Sequence, residues 1–209
     1  MKIAVVCSNG KVGRLIVKEA LNKGLEVTGF ARSDNKSEAK SFVKKDIFDL
    51  TNEDLKSFDV VIDAFGIWNP DELNKHTTSL LHLADILKGT KTRLMVVGGA
   101  GSLYMNKEHS LRLKDLPSFP KEYFPVASAM ANSLDELKKV KDVHWLYVTP
   151  AADFEPEGTR TGKYIISNDE YTTNKEGESK ISYADYALGI IDLILNSKLD
   201  HKQVSIIGE

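Results

Sequence analysis

Two glycines spaced three residues apart are the first residues whose position predicts chemistry. Gly10 and Gly13 follow the β-branched run at residues 3–6 and open an amphipathic stretch over residues 12–23. At a strand-to-helix junction, glycine lets the backbone turn tightly and approach a pyrophosphate, and the helix N-terminus offers free N–H groups to the anion. Two glycines at this spacing are weak evidence by themselves, but their place directly after the first predicted strand strengthens the prediction. The turn that we expect to bind phosphate comprises Ser8, Asn9, Gly10, Lys11, Val12 and Gly13.

A cation follows the next strand-like run. Residues 26–31 are predicted as a strand, and Arg32 and Ser33 come directly after it. In dinucleotide-binding folds an acid at this position binds the 2′-hydroxyl of NAD, whereas an arginine accommodates the 2′-phosphate of NADP. We therefore expect NADP, with NADPH favoured over NADH; a solvated surface arginine is the alternative. After the third predicted strand, Asp46 and Ile47 are placed to meet the adenine edge, although an acid there is also a common helix cap.

Parallel strands would bring these segments together, and the sequence pattern predicts such strands. Apolar runs alternate with amphipathic stretches, and Gly24 and Gly89 are placed to end two helices. This alternation predicts an α/β fold with a doubly wound parallel sheet, Rossmann-like, as one domain over residues 1–209. Residues 150–182 are expected to form a small C-terminal lobe on the substrate side. The predicted strands are 3–6, 26–31, 41–45, 60–65, 93–97, 144–148, 164–166 and 203–207, and the predicted helices are 12–23, 52–57, 70–87, 125–139 and 183–195.

Composition excludes several classes of protein. The 209 residues include 28 Lys and Arg against 30 Asp and Glu, for a formal net charge of −2, which argues against a nucleic-acid binder. No apolar run approaches the roughly 20 residues of a membrane span. The single cysteine excludes an intrachain disulfide, and the N-terminus shows no signal-peptide pattern, so we expect a cytoplasmic protein. The five histidines include no pair at metal-ligand spacing, so no metal site is expected.

Three segments resemble known families. Residues 2–31 look like the opening of the atypical short-chain dehydrogenase/reductase superfamily. Val-Gly-Gly-Ala-Gly-Ser-Leu-Tyr at residues 97–104 and Ile-Ser-Tyr-Ala-Asp-Tyr-Ala at residues 181–187 resemble the NAD(P)H–flavin reductases within it. These are relatives of biliverdin reductase B and of the NmrA-like proteins, and the resemblance covers essentially the whole chain.

The resemblance implies a role for each strand end. It places Gly10, Lys11 and Val12 at the pyrophosphate and Arg32 at the 2′-phosphate. Ser102 would be a hydrogen-bond donor to the nicotinamide or the substrate, and is the one catalytic candidate. The chain departs from the family at Cys7, where a glycine is usual, and a Cβ there constrains the turn. The remaining implied cofactor contacts are Ala64, Phe65 and Gly66 at the riboses, Gly98 and Gly99 at the nicotinamide, and Thr149, Pro150, Ala151 and Ala152 at its carboxamide.

The superfamily's catalytic pair, Tyr-x-x-x-Lys, is missing where it belongs. Tyr123 is followed four residues later by Ala127, and the one match, Tyr171 to Lys175, lies in a late, polar stretch that we interpret as a solvated loop. Several aromatic residues follow strand ends or begin the adjacent helix, where an α/β sheet presents its ligand crevice. They could stack on a flat substrate or could simply pack a lid. The expected substrate-binding residues are Trp68, Tyr104, Phe124 and Phe154.

Together these features favour an NAD(P)H-dependent reductase that transfers hydride to a flavin or another flat, small-molecule electrophile. A flavin can take its proton from solvent, so the missing pair matters less for this chemistry than for alcohol oxidation. The first alternative is a non-catalytic NADP(H)-sensing regulatory protein, as among the NmrA-like relatives. The second is a nucleotide-sugar epimerase or dehydratase, which the missing pair and the short C-terminal lobe disfavour.

Overall fold

Ten strands and five α-helices alternate along the chain, and the computed structural model describes residues 1–209. The predicted helix over residues 70–87 is divided into a 3-10 turn at Pro70–Glu72 and a helix from Lys75. The strands are β1 (Lys2–Val6), β2 (Glu26–Ala31), β3 (Ser41–Lys44), β4 (Val60–Asp63), β5 (Arg93–Val97), β6 (His144–Pro150), β7 (Asp153–Glu155), β8 (Tyr164–Ser167), β9 (Lys180–Ser182) and β10 (Lys202–Gly208). The α-helices are α1 (Lys11–Asn22), α2 (Asn52–Leu55), α3 (Lys75–Leu87), α4 (Phe124–Leu137) and α5 (Tyr183–Asn196).

Eight of the strands form one twisted layer in the order β3-β2-β1-β4-β5-β6-β10-β8. All neighbouring pairs are parallel except β10 and β8. The strand order reverses between β1 and β4, which creates the crevice in which doubly wound sheets bind ligands. The predicted Rossmann-like α/β fold is confirmed.

Helices cover both faces of this sheet, which explains why its central strands are almost wholly apolar. One core layer lies between the sheet and α1 and α5, and the other lies between the sheet and α3 and α4. In α1 the residues Ile16, Val17 and Ala20 face the core. Gly24 has a φ of +71°, the left-handed conformation that ends a helix, as the sequence predicted. None of the helices has the length and apolar character needed to cross a bilayer.

The segment expected to form a lobe, residues 150–182, divides between two structures. Strands β7 and β9 pair in parallel as a separate two-stranded ribbon, whereas β8 adds antiparallel to the edge of the main sheet. The sequence did not predict β7 and β9, because three-residue strands carry too little periodicity. The loop between β7 and β8 is held by the Asp185 carboxylate, which accepts hydrogen bonds from the N–H groups of Thr161 and Gly162.

Candidate functional site

The expected cofactor segments meet at one edge of the sheet. Because β1 to β6 all run in the same direction, their C-terminal ends lie side by side, and the loops that follow them form one rim. This is the edge at which open α/β sheets bind ligands. The segments brought together there are residues 8–13, 32–33, 46–47, 64–66, 98–99 and 149–152.

The turn after β1 is built tightly around the start of α1. Gly10 donates its N–H to the carbonyl oxygen of Cys7 at 3.0 Å. A Cβ on Gly13 would lie 2.6 Å from the same oxygen and 3.0 Å from Cα of Ser8, so only glycine allows this approach. No side chain caps the N-terminus of α1 and no acidic residue lies in its first turn. The first N–H groups of the helix are therefore free to bind an anion such as a pyrophosphate.

Cys7 adopts a left-handed backbone conformation. Its φ is 60°, in the left-handed region that favours glycine. Burial, followed by the neighbouring carboxylates of Asp63 and Asp46, raises the pKa of its thiol well above the ordinary value. A thiol that stays protonated is a poor nucleophile, so Cys7 fills space in the turn.

The loop after β2 presents Arg32 to solvent without an ion-pair partner in the chain. The nearby acid, Asp34, is instead bound by Lys44 at 2.8 Å. Arg32 acts electrostatically across the crevice. The pKa of Glu72, which follows β4, is held below its ordinary value first by Lys75 and more weakly by Arg32. The Arg32 charge therefore lies between the β2 and β4 loops.

After β3, Asp46 and Ile47 face inward. Asp46 accepts a hydrogen bond from the N–H of Phe48 at 3.1 Å and caps the 3-10 helix Ile47–Asp49. Ile47 is buried in the core beside Leu50. The structure thus shows the capping role for Asp46, whose contact with an adenine stays a prediction, and the Ile47 side chain has no free surface for an adenine.

A buried carboxylate that the sequence reasoning missed lies at the end of β4. Asp63 is only 4% exposed and accepts a hydrogen bond from the N–H of Phe65 at 3.0 Å. Desolvation raises its pKa from 3.8 to about 6, although the Phe65 hydrogen bond opposes the rise. The available signal was an acid closing the apolar run at residues 60–62, at the strand end nearest the switch point.

The loops after β5 and β6 approach each other closely. A Cβ on Gly98 would lie 2.3 Å from Cε1 of Tyr147, so the chain passes directly over that ring. Thr149, Pro150 and Ala151 are buried, whereas Ala152 is exposed. The Thr149 hydroxyl faces the interior, where it accepts a hydrogen bond from Nε2 of Gln203 at 3.1 Å.

Ser102 does not have the position that we expected for a catalytic donor. Its side chain is 0% exposed, and its hydroxyl donates to the carbonyl oxygen of Gly99 at 2.8 Å. It also accepts a hydrogen bond from Nε2 of Gln203 at 2.9 Å. Because its one proton is already used inside the protein, Ser102 shapes the Gly98–Gly99 loop and cannot reach a ligand.

Two of the four expected substrate-binding residues are exposed at the ligand edge. Trp68 follows β4 and Phe124 begins α4, and they are 66% and 46% exposed. Tyr123, 49% exposed, lies against Trp68 with ring centroids 6.0 Å apart. The Phe124 ring lies under Lys114 Nζ at 5.7 Å. We call these three exposed residues of the ligand edge the aromatic rim.

The other two, Tyr104 and Phe154, are half-buried in contacts within the protein. The backbone of Tyr104 bonds to Asp169, beyond the end of the antiparallel strand β8, and its ring lies under Lys138, beyond the end of α4. Both of those ends are at the opposite edge of the sheet. Phe154 packs on Tyr183 and Tyr186 at 4.0 and 4.9 Å, which attaches the β7–β9 ribbon to α5. Tyr104 therefore lies away from the aromatic rim. Phe154 follows β6 in the segment whose Glu157 lies 3.7 Å from Lys11 at the start of α1, so it stays near the ligand edge with its ring packed inward. Contact of either residue with a substrate stays a prediction.

The Tyr171–Lys175 match lies outside any helix, as expected. No helix is present between residues 168 and 179, and the N–H of Tyr171 bonds to the carbonyl oxygen of Tyr104 at 2.7 Å. Tyr171 is thus beside Tyr104 and makes no recorded contact with the aromatic rim.

Comparisons with known proteins agree with this geometry. A family model described as NAD(P)H-binding matches residues 8–197. The uncharacterised protein YwnB of Bacillus subtilis (strain 168) is 41% identical over 212 residues, which cover 100% of this chain and 99% of YwnB. A solved structure from Streptococcus pneumoniae TIGR4, described as "a putative NADH-flavin reductase", is 46% identical, covers 100% of both chains and has a TM-score of 0.98. A "putative epimerase" from Bacteroides thetaiotaomicron is 32% identical, with 99% and 96% of the chains covered and a TM-score of 0.86.

The fold and the open glycine turn define a Rossmann-like dinucleotide-binding protein. The extent of the match shows that the chain belongs to the NAD(P)H-binding family.

Proposed function

We propose that this protein is an NADPH-dependent reductase that transfers hydride to a flavin or a similar flat, small-molecule electrophile. The observation that carries the proposal is the aromatic rim, three exposed rings at the same sheet edge as the glycine turn. Exposed aromatic groups of this kind stack on planar ligands. The description of the Streptococcus pneumoniae structure as "a putative NADH-flavin reductase" supports the same chemistry.

The residues of this chain would bind and orient the reactants. The start of α1 would hold the pyrophosphate, and Arg32 would meet the 2′-phosphate. The bound nicotinamide supplies the hydride. The aromatic rim would hold the acceptor over the loop at residues 98–99 and exclude water from its face.

The site lacks the Tyr-x-x-x-Lys pair with which the short-chain dehydrogenase/reductase superfamily moves a substrate proton. Tyr123 directly precedes α4, but Ala127, one turn later, is buried and cannot lower the pKa of a phenol as a lysine would. Oxidation of an alcohol or epimerisation of a sugar needs such a pair. Reduction of a flavin does not, because solvent can supply the proton.

Steady-state NADPH oxidation with and without free FMN, FAD or riboflavin tests the proposal. Trp68→Ala should lower kcat/KM for the flavin about three- to tenfold, since an aromatic contact contributes roughly 0.5–1.5 kcal/mol. The Kd for NADPH should stay unchanged. Leu199→Ala is the control, because Leu199 is an exposed apolar residue (41%) just before β10, at the opposite edge. Tight NADPH binding without turnover of any flavin would contradict a reductase and favour the sensing alternative.

A further inference from the structure

The side chain of Asn9 connects two loops that would bind different parts of the cofactor. Its amide Nδ2 donates to Oγ of Ser33 at 3.0 Å and to the carbonyl oxygen of Asp34 at 2.9 Å. Its Oδ1 accepts a hydrogen bond from the N–H of Lys36 at 2.8 Å. One side chain in the turn after β1 thus binds three residues of the loop after β2.

These bonds use the hydrogen-bonding groups of the Asn9 amide. An asparagine side chain offers two N–H donors and one carbonyl oxygen, and all three interactions are made within the protein. The Asn9 side chain therefore has no free donor for a phosphate, although the sequence placed Asn9 among the cofactor contacts. Any effect of the Asn9 side chain on cofactor binding must therefore act through the position of the loop that it binds.

The loop held by Asn9 carries cations that are free of intramolecular ion pairs. Arg32 and Lys36 have no carboxylate partner, because Lys44 neutralises Asp34. Lys36 lines a surface groove together with Lys11, the first residue of α1, and with the carboxylates Glu38 and Glu157, of which Glu157 lies 3.7 Å from Lys11. Arg32 and Lys36 are thus the cations of this loop that are left to pair with a phosphate monoester on the ribose.

We propose that Asn9 is a positioning residue for the 2′-phosphate of NADPH: it fixes the Arg32–Lys36 loop relative to the glycine turn. The inference rests on the proposed NADPH preference. Ordering a flexible loop costs conformational entropy at the moment of binding, and a preformed loop avoids that cost. Loss of Asn9 should therefore weaken NADPH binding and leave NADH binding, which depends on the turn alone, nearly unchanged.

The fold itself should tolerate the loss of this side chain. The turn keeps its backbone hydrogen bonds, from Ser8 N–H to Phe30 at 3.1 Å and from Gly10 N–H to Cys7 at 3.0 Å. The groups that Asn9 binds lie at the exposed surface, so water can replace it there. Asn9→Ser, whose hydroxyl is too short to reach both Asp34 and Lys36, serves as a milder second variant.

The test compares the Kd values of NADPH and NADH, measured by calorimetry or nicotinamide fluorescence. Asn9→Ala should raise the Kd of NADPH about tenfold and that of NADH less than about threefold. Asn35→Ala is the matched control, because its amide bonds only within the same loop, to Ser37 and Ala39. It should leave the ratio of the two Kd values unchanged. In an Arg32→Ala background, Asn9→Ala should no longer change that ratio.

The outcomes separate the two proposals. A wild-type NADPH preference that Arg32→Ala abolishes but Asn9→Ala and Asn9→Ser retain would overturn the role of Asn9 alone. Equal losses for NADPH and NADH in Asn9→Ala, or the same loss in Asn35→Ala, would also overturn it. Equal wild-type Kd values for the two nucleotides would overturn the NADPH preference and this inference together.

Discussion

Gly13 offers the sharpest test that the turn after β1 binds the cofactor. In Gly13→Ala the new Cβ would lie 2.6 Å from the Cys7 carbonyl oxygen, where ordinary contact begins at 3.4 Å. The nearest atoms all belong to the backbone, so no side chain can rotate away. The helix and the turn must therefore separate by about 0.8 Å, which is an overpacking strain of roughly 1–3 kcal/mol.

Stability and binding should respond differently to this change. Alanine favours a helix over glycine by about 1 kcal/mol, which offsets part of the strain. The hydrogen bonds from the helix N-terminus to a phosphate have no such compensation, because their donor-to-acceptor distances tolerate only about 0.5 Å. Loss of one charge-assisted bond, roughly 1.5–3 kcal/mol, should weaken NADPH binding at least about tenfold.

Titration of NADPH against folded wild-type and variant protein measures this effect. Gly24→Ala is the control, since it makes the same substitution just past the other end of α1. No atom lies within 4 Å of the new Cβ there, and the φ of +71° is the only source of strain. It should cost about 1–2 kcal/mol of stability through backbone strain alone and leave NADPH affinity unchanged. Wild-type affinity in a folded Gly13→Ala protein, or an equal loss in Gly24→Ala, would refute the reasoning.

Three further predictions concern a proton donor, a buried acid and an ion pair. Tyr171→Phe should keep flavin-dependent NADPH oxidation within about twofold of wild type, roughly 0.4 kcal/mol, and a hundredfold loss in steady-state assays would contradict our site. Asp63→Asn keeps the acceptor for the Phe65 N–H but removes a carboxylate whose pKa rises from 3.8 to about 6 on folding. Because the raised pKa penalises the ionised form, the wild type loses stability as the pH rises through this window. The variant should therefore be more stable by about 3 kcal/mol at pH 8, with the gain disappearing towards pH 4 in urea titrations. Arg160→Ala leaves the buried Glu19 without its partner at 2.9 Å and should cost roughly 1–3 kcal/mol, and Glu19→Gln should recover part of this if the ion pair is the cause.

The order of strands and helices could be predicted from the sequence, because strands buried on both faces must be nearly continuous apolar runs. Residues 60–62 and 93–97 show this, and the glycine turn after β1 marks the start of the first helix. Parallel pairing of such strands puts their C-terminal ends at one edge. The location of the dinucleotide site therefore follows from local pattern alone.

Tertiary structure decided the direction and surroundings of individual side chains, which depend on contacts far apart in the chain. Gln203, 101 residues away, donates a hydrogen bond to the buried Ser102 hydroxyl. The backbone of Tyr104 bonds to Asp169 in the segment after β8, which places Tyr104 away from the ligand edge. Asn9 binds a loop 24 to 27 residues further on. Sequence spacing reports on turns and periodicity within one element, whereas these pairings arise only when separate elements pack. For this reason the sequence located the ligand edge, and the fold determined which side chains at that edge can reach a ligand.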